Sequence, residues 1–398
     1  MKILFINTVY GKGSTGQIVK TLGEAVLKRG GEYVAAYGRG ERLEDSHCFM
    51  FSSRIGVMMH AGLSRITDKA GFYSYNDTKK LIEYIKNYNP DIIHLHNLHG
   101  YYVNIKLLFE YLREEYFGKI IWTLHDCWSY TGHCAYYSFA KCNKWERLCN
   151  NCIQKNSYPQ SILFDNSKKN YQEKKALFTQ LRNKLTVVTV SKWLEGEVKC
   201  SFFKDCSIRT IYNGVDINKF KPQMSLSRSK YGIGNKYMFL CVADGWDLRK
   251  GYEKVIELSK AINKKAVIVI VGINKKQRKT LPDNVIGIEH IENQKELIDL
   301  YCAADVLFNP SKEDTFGLVS VEAMACGTPV IVLDSTANPE VAGGESCGKI
   351  LDRDCRFKGD ISSLYINKKE KENACMVRVK EYFSTEKMVD SYIKLYGL

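Results

Sequence analysis

At 398 residues, with 45% hydrophobic and 26% charged side chains, the chain is too long for one typical domain and too apolar to be disordered, so two globular domains are expected. No apolar stretch approaches the ~20 residues that span a bilayer, and the start MKILFIN reads as a strand rather than a secretory leader. A cytoplasmic protein is therefore expected, with its 14 cysteines held as thiols or on metal rather than in disulfides, while the net charge of +14 draws polyanions without naming one.

In chain order, Lys2–Asn7 has the pattern of a buried strand. Gly11-x-Gly13-x-x-Gly16 follows, then a helix from about Gln17 to Arg29 and a strand at Glu32–Tyr37, the opening of a parallel α/β sheet. The glycines formally fit a dinucleotide fingerprint. However, Asn7–Tyr10 separates the strand from the first glycine, and Tyr37-Gly38-Arg39 stands where an acid should end the second strand. A P-loop fails because Gln17 occupies the lysine position. Residues 40–75 are polar and mixed, with an apolar patch at Ile55–Met59 that reads as a surface helix or flap. A helix at Thr78–Tyr88, a strand at Asp91–Leu95, a helix at Ile105–Tyr116 and a strand at Lys119–Leu124 continue the alternation. Both of these strands run into histidine-bearing loops, His96-Asn97-Leu98-His99 and His125-Asp126. Ligands collect at the carboxyl ends of strands in open α/β sheets, so His96, Asn97 and His99 are pocket candidates, whereas His94 alternates within its strand and reads as a core histidine.

Cys134, Cys142, Cys149 and Cys152 then fall within nineteen residues, and Cys149-x-x-Cys152 has the spacing of a metal knuckle. Four thiolates suit a tetrahedral structural Zn²⁺ that would pin a long loop; the alternative is four unlinked thiols in a Lys-rich segment. A helix around Tyr171–Leu181, a strand at Thr186–Val190, a helix capped by Ser191 and a short strand at Arg209–Tyr212 complete the first half. A second α/β unit starts at Tyr237–Val242, and the loop after it, Asp244–Gly251, carries Arg249 and Lys250. Its alternation ends in Leu307–Val332, which reads as strand, loop, helix, turn and strand. Asp314 sits in the loop and Glu322 in the helix, with seven residues between them. The backbone N–H groups around Phe316, Gly317, Leu318 and Val319 open a helix N-terminus, a site for an anion such as a diphosphate. Residues from about Glu370 to Leu398 read as helical.

Asp314-Thr315-Phe316-Gly317 followed by Glu322-Ala323-Met324-Ala325-Cys326-Gly327-Thr328-Pro329 resembles the two-acid signature of the retaining, nucleotide-sugar-dependent glycosyltransferases of the GT-B fold, family 4 type. Here Asp replaces Glu at the first acid; Glu313 is one residue early. The resemblance implies two Rossmann-like, doubly wound α/β domains facing a central cleft. The segment Asn213-Gly214-Val215-Asp216 looks like the family's end of the first domain. Residues 1–218 would bind the acceptor and 219–379 the nucleotide sugar, with a last helix at about 380–398 packing back on the first domain.

It also implies roles for residues. Glu322 would hold the ribose, Asp314 would meet the donor sugar, His125 would orient sugar hydroxyls, and Lys250 would stabilise the departing diphosphate. Arg249 would stand in for the family's Arg, whose place is taken by Gly245. Gly13 and Gly16 would lie in the family's glycine-rich loop facing the donor. His96, Asn97 and His99 would serve the acceptor. No cofactor is required for catalysis in this family, so any zinc on the cysteines would be structural. The expected partners are a nucleotide-diphosphate sugar, a saccharide or lipid-linked saccharide acceptor and the anionic inner face of the cell membrane, with no nucleic acid, since neither a DNA- or RNA-binding motif nor an internal repeat is present. Assembly of capsule, exopolysaccharide or lipopolysaccharide is the expected setting. The alternative is a non-catalytic nucleotide- or polyanion-binding protein on the same fold.

Overall fold

Lys2–Asn7 is β1, and four of its residues, Ile3 to Ile6, have no exposed surface. A strand so apolar on both faces must lie between two layers of helices, which is how parallel sheets are built. The computed structural model describes residues 1–291 and 293–398, and contacts divide these into two units, residues 1–211 with 389–398 and residues 212–388.

The first unit continues with α1 (Gly13–Lys28), β2 (Glu32–Tyr37), β3 (Cys48–Met50), α2 (Arg54–Thr67), α3 (Tyr75–Tyr88), β4 (Ile92–Leu95), α4 (Ile105–Glu114), β5 (Lys119–Leu124), α5 (Ser167–Thr179), β6 (Leu185–Thr189), α6 (Lys192–Cys200) and β7 (Ser207–Thr210). Its strands form one sheet in the order β3-β2-β1-β4-β5-β6-β7, with every pairing parallel. On one side an aromatic cluster fills the core. Trp122 meets Phe109, Phe178 and Phe203 at ring-centroid distances of 5.4, 4.9 and 5.8 Å. Each such buried ring contributes on the order of 2–3 kcal/mol through its removal from water.

The second unit contains α7 (Ser227–Lys230), β8 (Tyr237–Val242), α8 (Tyr252–Ala261), β9 (Ala266–Val271), α9 (Lys275–Arg278), β10 (Val285–Ile288), α10 (Gln294–Ala303), β11 (Val306–Asn309), α11 (Leu318–Ala325), β12 (Val330–Leu333), α12 (Asn338–Ala342), β13 (Gly348–Leu351), α13 (Lys368–Tyr382) and the start of α14 (Thr385–Tyr396). Its sheet, again parallel, runs β10-β9-β8-β11-β12-β13. Phe239, Cys241, Ile268, Ile270, Val306 and Phe308 meet Val255 and Leu258 of α8 in its core.

In both sheets the strand order reverses once, between β1 and β4 in the first and between β8 and β11 in the second. Loops leaving the carboxyl ends of two strands diverge at such a point and leave a crevice. The loops concerned carry the glycine run and His96–His99 in one unit, and Arg249–Lys250 and Asp314 in the other.

Two elements differ from expectation. The first helix begins at Gly13 rather than near Gln17, with Asn7 Nδ2 donating to Thr15 Oγ1 at 3.3 Å, so a tertiary contact draws Ser14 and Thr15 into its first turn. The C-terminal helical run is broken at Phe383–Ser384. There the Phe383 carbonyl accepts from the Val215 N–H at 2.8 Å and the Thr385 N–H turns to Val215 O at 3.0 Å. Both backbone groups are spent on another segment, so the helix cannot run through. Among the described residues no helix is long and apolar enough to cross a membrane.

Candidate active site

In the second unit, β8 and β11 are adjacent in the sheet, and the loops that follow them are locked together. The Lys312 N–H donates to Arg249 O at 2.8 Å, and Arg249 Nη1 donates to Glu313 O at 3.1 Å. Gly251 adopts φ +76° at the start of α8, and a Cβ there would lie 2.2 Å from Pro310 O. Only glycine permits this approach of the two loops. The result places Lys250 Nζ 2.5 Å and Arg249 Nη1 3.9 Å from Asp314 Oδ1. Burial pushes the Asp314 carboxyl up, but the cations of Lys250 and Arg249 outweigh it and hold the group below the usual carboxylate range. Two cations thus face the Asp314 carboxylate.

Asp314 is also fixed through its backbone. Its N–H donates to Thr336 Oγ1 at 3.0 Å, and the Thr336 hydroxyl returns to Asp314 O at 2.8 Å. Thr336 has φ +51°, a costly conformation for a β-branched residue, retained at the one place where its hydroxyl can hold this loop. Asn309 Nδ2 reaches Asp314 Oδ2 at 3.4 Å and Ser320 Oγ at 3.3 Å.

The helix that follows, α11, is entered through Gly317 at φ +84°, with Leu318 and Val319 half-buried at its first turn. The Ser320 N–H is taken by Gly317 O. Phe316 contributes backbone only, because its ring is buried against Tyr212 and Phe383. One turn further on, Glu322 Oε2 accepts from the Tyr301 hydroxyl at 2.8 Å. Burial pushes the Glu322 carboxyl up to about 7, against the lowering effect of that hydrogen bond. Lys250, Arg249, Asp314, the α11 entry and Glu322 thus belong to one unit, and the structure brings Lys250, Arg249 and Asp314 into direct contact. Asn309, Tyr301 and Thr336 are the residues that sequence reasoning missed; their types are common, and no spacing marks them.

In the first unit the same logic gathers histidines. β4 and β5 are neighbours, so the residues after them adjoin. His96 Nδ1 and His125 Nε2 are 3.0 Å apart with their rings stacked 12° from parallel. His125 is half-buried, and burial lowers its pKa to about 4 against the pull of Asp126, so it is a neutral imidazole at neutral pH. His96 is 1% exposed, with its Nδ1 against His125, and it lines a small cavity together with Asn97, His99, His125 and Asp126. His99 is clamped between Asp126 Oδ2 at 2.7 Å and the Tyr158 hydroxyl at 3.0 Å. Asn97 uses its backbone: its carbonyl accepts from Thr8 Oγ1 and Tyr102 Oη, and its N–H donates to Asn7 Oδ1. His94 is a core histidine, bonded to the Tyr396 hydroxyl at 2.7 Å and to Thr123 Oγ1 at 2.8 Å. Gly13 is exposed at the start of α1. Gly16 is buried, its carbonyl accepting from the Gly11 N–H at 3.1 Å, so it shapes the loop rather than facing outward.

Cys134, Cys142, Cys149 and Cys152 line one small cavity in the segment between β5 and α5. As placed, no three or more His, Cys, Asp or Glu side chains among the described residues close on a common point that could hold a metal.

Two family models match this chain, "Glycosyl transferases group 1" over residues 224–376 and "Glycosyltransferase Family 4" over residues 15–219, the latter more than half of its length. The chain is 24% identical, over all of its length and 99% of the relative's, to WcaC of Escherichia coli, provisionally named a colanic acid biosynthesis glycosyl transferase. It is 27% identical over 79% of its length, and 81% of the relative's, to a 41.2 kDa protein from the cps region of Klebsiella pneumoniae. Among solved structures it resembles sucrose-phosphate synthase of Thermosynechococcus elongatus, with TM-score 0.73 and 20% identity over 99% of this chain and 98% of the other. It also resembles HepE of Anabaena, solved with UDP and glucose, with TM-score 0.66 and 14% identity over the whole of both chains. On the family model that spans residues 15–219, and with two parallel-sheet domains of the GT-B type, the chain belongs to glycosyltransferase family 4.

Proposed function

We propose that this glycosyltransferase moves a hexosyl group from a nucleotide-diphosphate donor to an acceptor hydroxyl with retention at the anomeric carbon. The acceptor would be a saccharide or lipid-linked saccharide of a surface polysaccharide. The observation that carries the reading is the Lys250–Arg249–Asp314 cluster at the reversal of the second sheet, with Glu322 on the helix that follows. A diphosphate leaving group gathers negative charge as the glycosidic bond lengthens, and fixed cations stabilise that charge most where water is excluded. Lys250 and Arg249 supply the cations, and the first turn of α11 supplies N–H groups. Asp314 takes the sugar, Glu322 the ribose hydroxyls, and His125, neutral and fixed by His96, offers a ring nitrogen to a sugar hydroxyl. No carboxylate of the cluster is free to act as a nucleophile, since Asp314 is held by two cations. This favours same-face attack assisted by the leaving phosphate. The setting of the relatives, colanic acid and a cps region, supports polysaccharide assembly.

A lipid-linked acceptor implies contact with a membrane, and one surface of the first unit suits it. Ile55, Met58 and Met59 of α2 are 72%, 66% and 62% exposed, and Ile162, Leu163 and Phe164 are each more than half exposed. The two segments adjoin, since the Ile162 N–H donates to Arg65 O and the Phe164 N–H to Ile66 O. The only charged residues of α2 are Arg54 and Arg65, both exposed. An apolar patch edged by arginines fits an anionic leaflet.

The test is a panel of nucleotide sugars given to the purified protein with lipid-linked acceptors, reading nucleotide diphosphate release and the anomeric configuration of the product by NMR. An inverted product would overturn the retaining mechanism, and no release with any donor would leave the binding-protein reading in its place. Co-sedimentation with phosphatidylglycerol vesicles, lost in Met58→Glu/Leu163→Glu, tests the membrane contact; equal binding to phosphatidylcholine vesicles would exclude the electrostatic part.

A further inference from the structure

Between β5 and α5 the chain runs for more than forty residues with nothing more regular than three short 3₁₀ turns, at Trp128–Tyr130, Ser138–Ala140 and Lys144–Glu146. Loops of this length inside a folded domain need an anchor of their own. Two side-chain anchors lie on neighbouring elements, His133 Nδ1 on Asp68 and Lys174 Nζ on the carbonyls of Trp128 and Thr131, and within the loop Asp165 accepts from the Cys152 N–H. The remaining organisation centres on a cavity of about 10 Å³ lined by Cys134, Cys142, Cys149 and Cys152. Cys134 is hydrogen-bonded to Cys152, and the Gly132 N–H donates to Cys149 Sγ at 3.2 Å. All four cysteines are free thiols.

The polar atoms around the cavity point to what belongs in it. His133 Nε2 and Trp145 Nε1 are buried without a hydrogen-bond partner, and both residues line this same cavity. His133 is 2% exposed, and its Nδ1 is already committed to Asp68. An indole N–H left unpaired in the interior costs on the order of 1–3 kcal/mol. Neutral thiols are poor acceptors and leave it unsatisfied. Thiolates are good acceptors, and N–H···S and O–H···S bonds to metal-bound sulfur are the outer shell that such sites use.

We propose that Cys134, Cys142, Cys149 and Cys152 bind one Zn²⁺ in a tetrahedral, structural site. Binding releases four thiol protons and forms four Zn–S bonds, with no change of oxidation state and no open coordination position. The resulting centre carries two negative charges. Lys174 of α5 reaches into this loop with its amine on Trp128 O, and Lys144 lines the cavity, so amines that can balance the charge are already nearby. Cys142 and Cys152 are half-buried, and closing on the ion requires their side chains to turn between staggered rotamers. The first residues of this loop include Asp126, which clamps His99, so the metal would hold the histidine-bearing end of β5 in place.

The experiment is metal analysis of the full chain, purified under reducing conditions and without a histidine tag, together with Co²⁺ substitution. Close to one zinc per chain, and a Co²⁺ form with the sulfur-to-metal charge-transfer and intense d–d bands of a tetrahedral thiolate site, are expected. Cys142→Ser, chosen because Cys142 is half-buried, should weaken Co²⁺ binding by at least about tenfold and shift those bands. If Cys142→Ser does not fold, the native Co²⁺ spectrum still decides. Absence of zinc after reconstitution with ZnCl₂, an octahedral Co²⁺ spectrum, or an intact mass showing a Cys134–Cys152 disulfide in the active protein would each overturn the proposal.

Discussion

Lys250 and Asp314 are close enough to neutralise each other, and that contact sets the expected behaviour of their variants. On the proposed mechanism Lys250→Ala removes the cation that would act on the leaving diphosphate, so kcat should fall by about 10²–10³-fold with the fold intact by circular dichroism. A kcat within threefold of wild type would remove Lys250 from the mechanism. On the same proposal Asp314→Ala should also abolish turnover, since it removes the carboxylate that Lys250 contacts and that would meet the donor sugar. Asp314→Glu tests the shortened acid directly: its carboxylate would need room that the pair with Lys250 now fills.

Glu322 offers a second measurement at this scale. Its carboxyl, pushed up to about 7 by burial, is half protonated near neutrality, and only the ionised form offers every lone pair to ribose hydroxyls. Donor KM should therefore fall as pH rises from 6 to 8. Glu322→Gln should flatten that dependence and raise KM roughly tenfold, the value of about one good hydrogen bond. A wild-type KM profile that is flat across this range would contradict the assignment.

At the scale of elements, two features tie sequence to geometry. Gly251 is where the loop after β8 touches the loop after β11. Gly251→Ala would set a Cβ against Pro310 O and force φ +76° on a residue with a side chain, so a loss of about 2–3 kcal/mol and a lower Tm are expected, measured by denaturant unfolding. The histidines at the ends of β4 and β5 set a pH dependence. His94, His96 and His125 are all held below the ordinary imidazole pKa, first by burial and then, for His94 and His96, by neighbouring histidines. The unfolded chain then binds more protons than the native one below about pH 6.5. Stability should be full above that pH and decline as pH falls toward about 4, with a Tm drop of several degrees between pH 7 and 5 in thermal scans. Constant Tm over that interval would mean that these rings are accessible to protons in the native state.

At the scale of the whole molecule, the C-terminal residues 389–398 belong to the first unit, where the hydroxyls of Tyr392 and Tyr396 bond Thr123 and His94 beneath the histidine loops. Tyr396→Phe leaves His94 Nδ1 without its partner in a site with no solvent, so about 1–3 kcal/mol should be lost in equilibrium unfolding. An unchanged midpoint would show that the chain end adds packing alone.

The alternation of strands and helices, both switch-point loops and the acids on either side of the α11 entry are legible in the sequence. They depend on local periodicity and on residues that only one backbone shape accepts, such as Gly251 and Gly317. The break at Phe383–Ser384 is not, because the groups that interrupt the helix bond to Val215, far away in the chain. For the same reason nothing in the sequence marks Tyr301 as the partner of Glu322, Thr336 as the clamp on Asp314, or His96 as the buried support of His125. By itself, then, the sequence determined the class of fold and which residues carry charge at the strand ends. Only the tertiary structure decided which of them meet, since strands far apart in sequence become neighbours in a parallel sheet through crossover order, which local patterning does not encode.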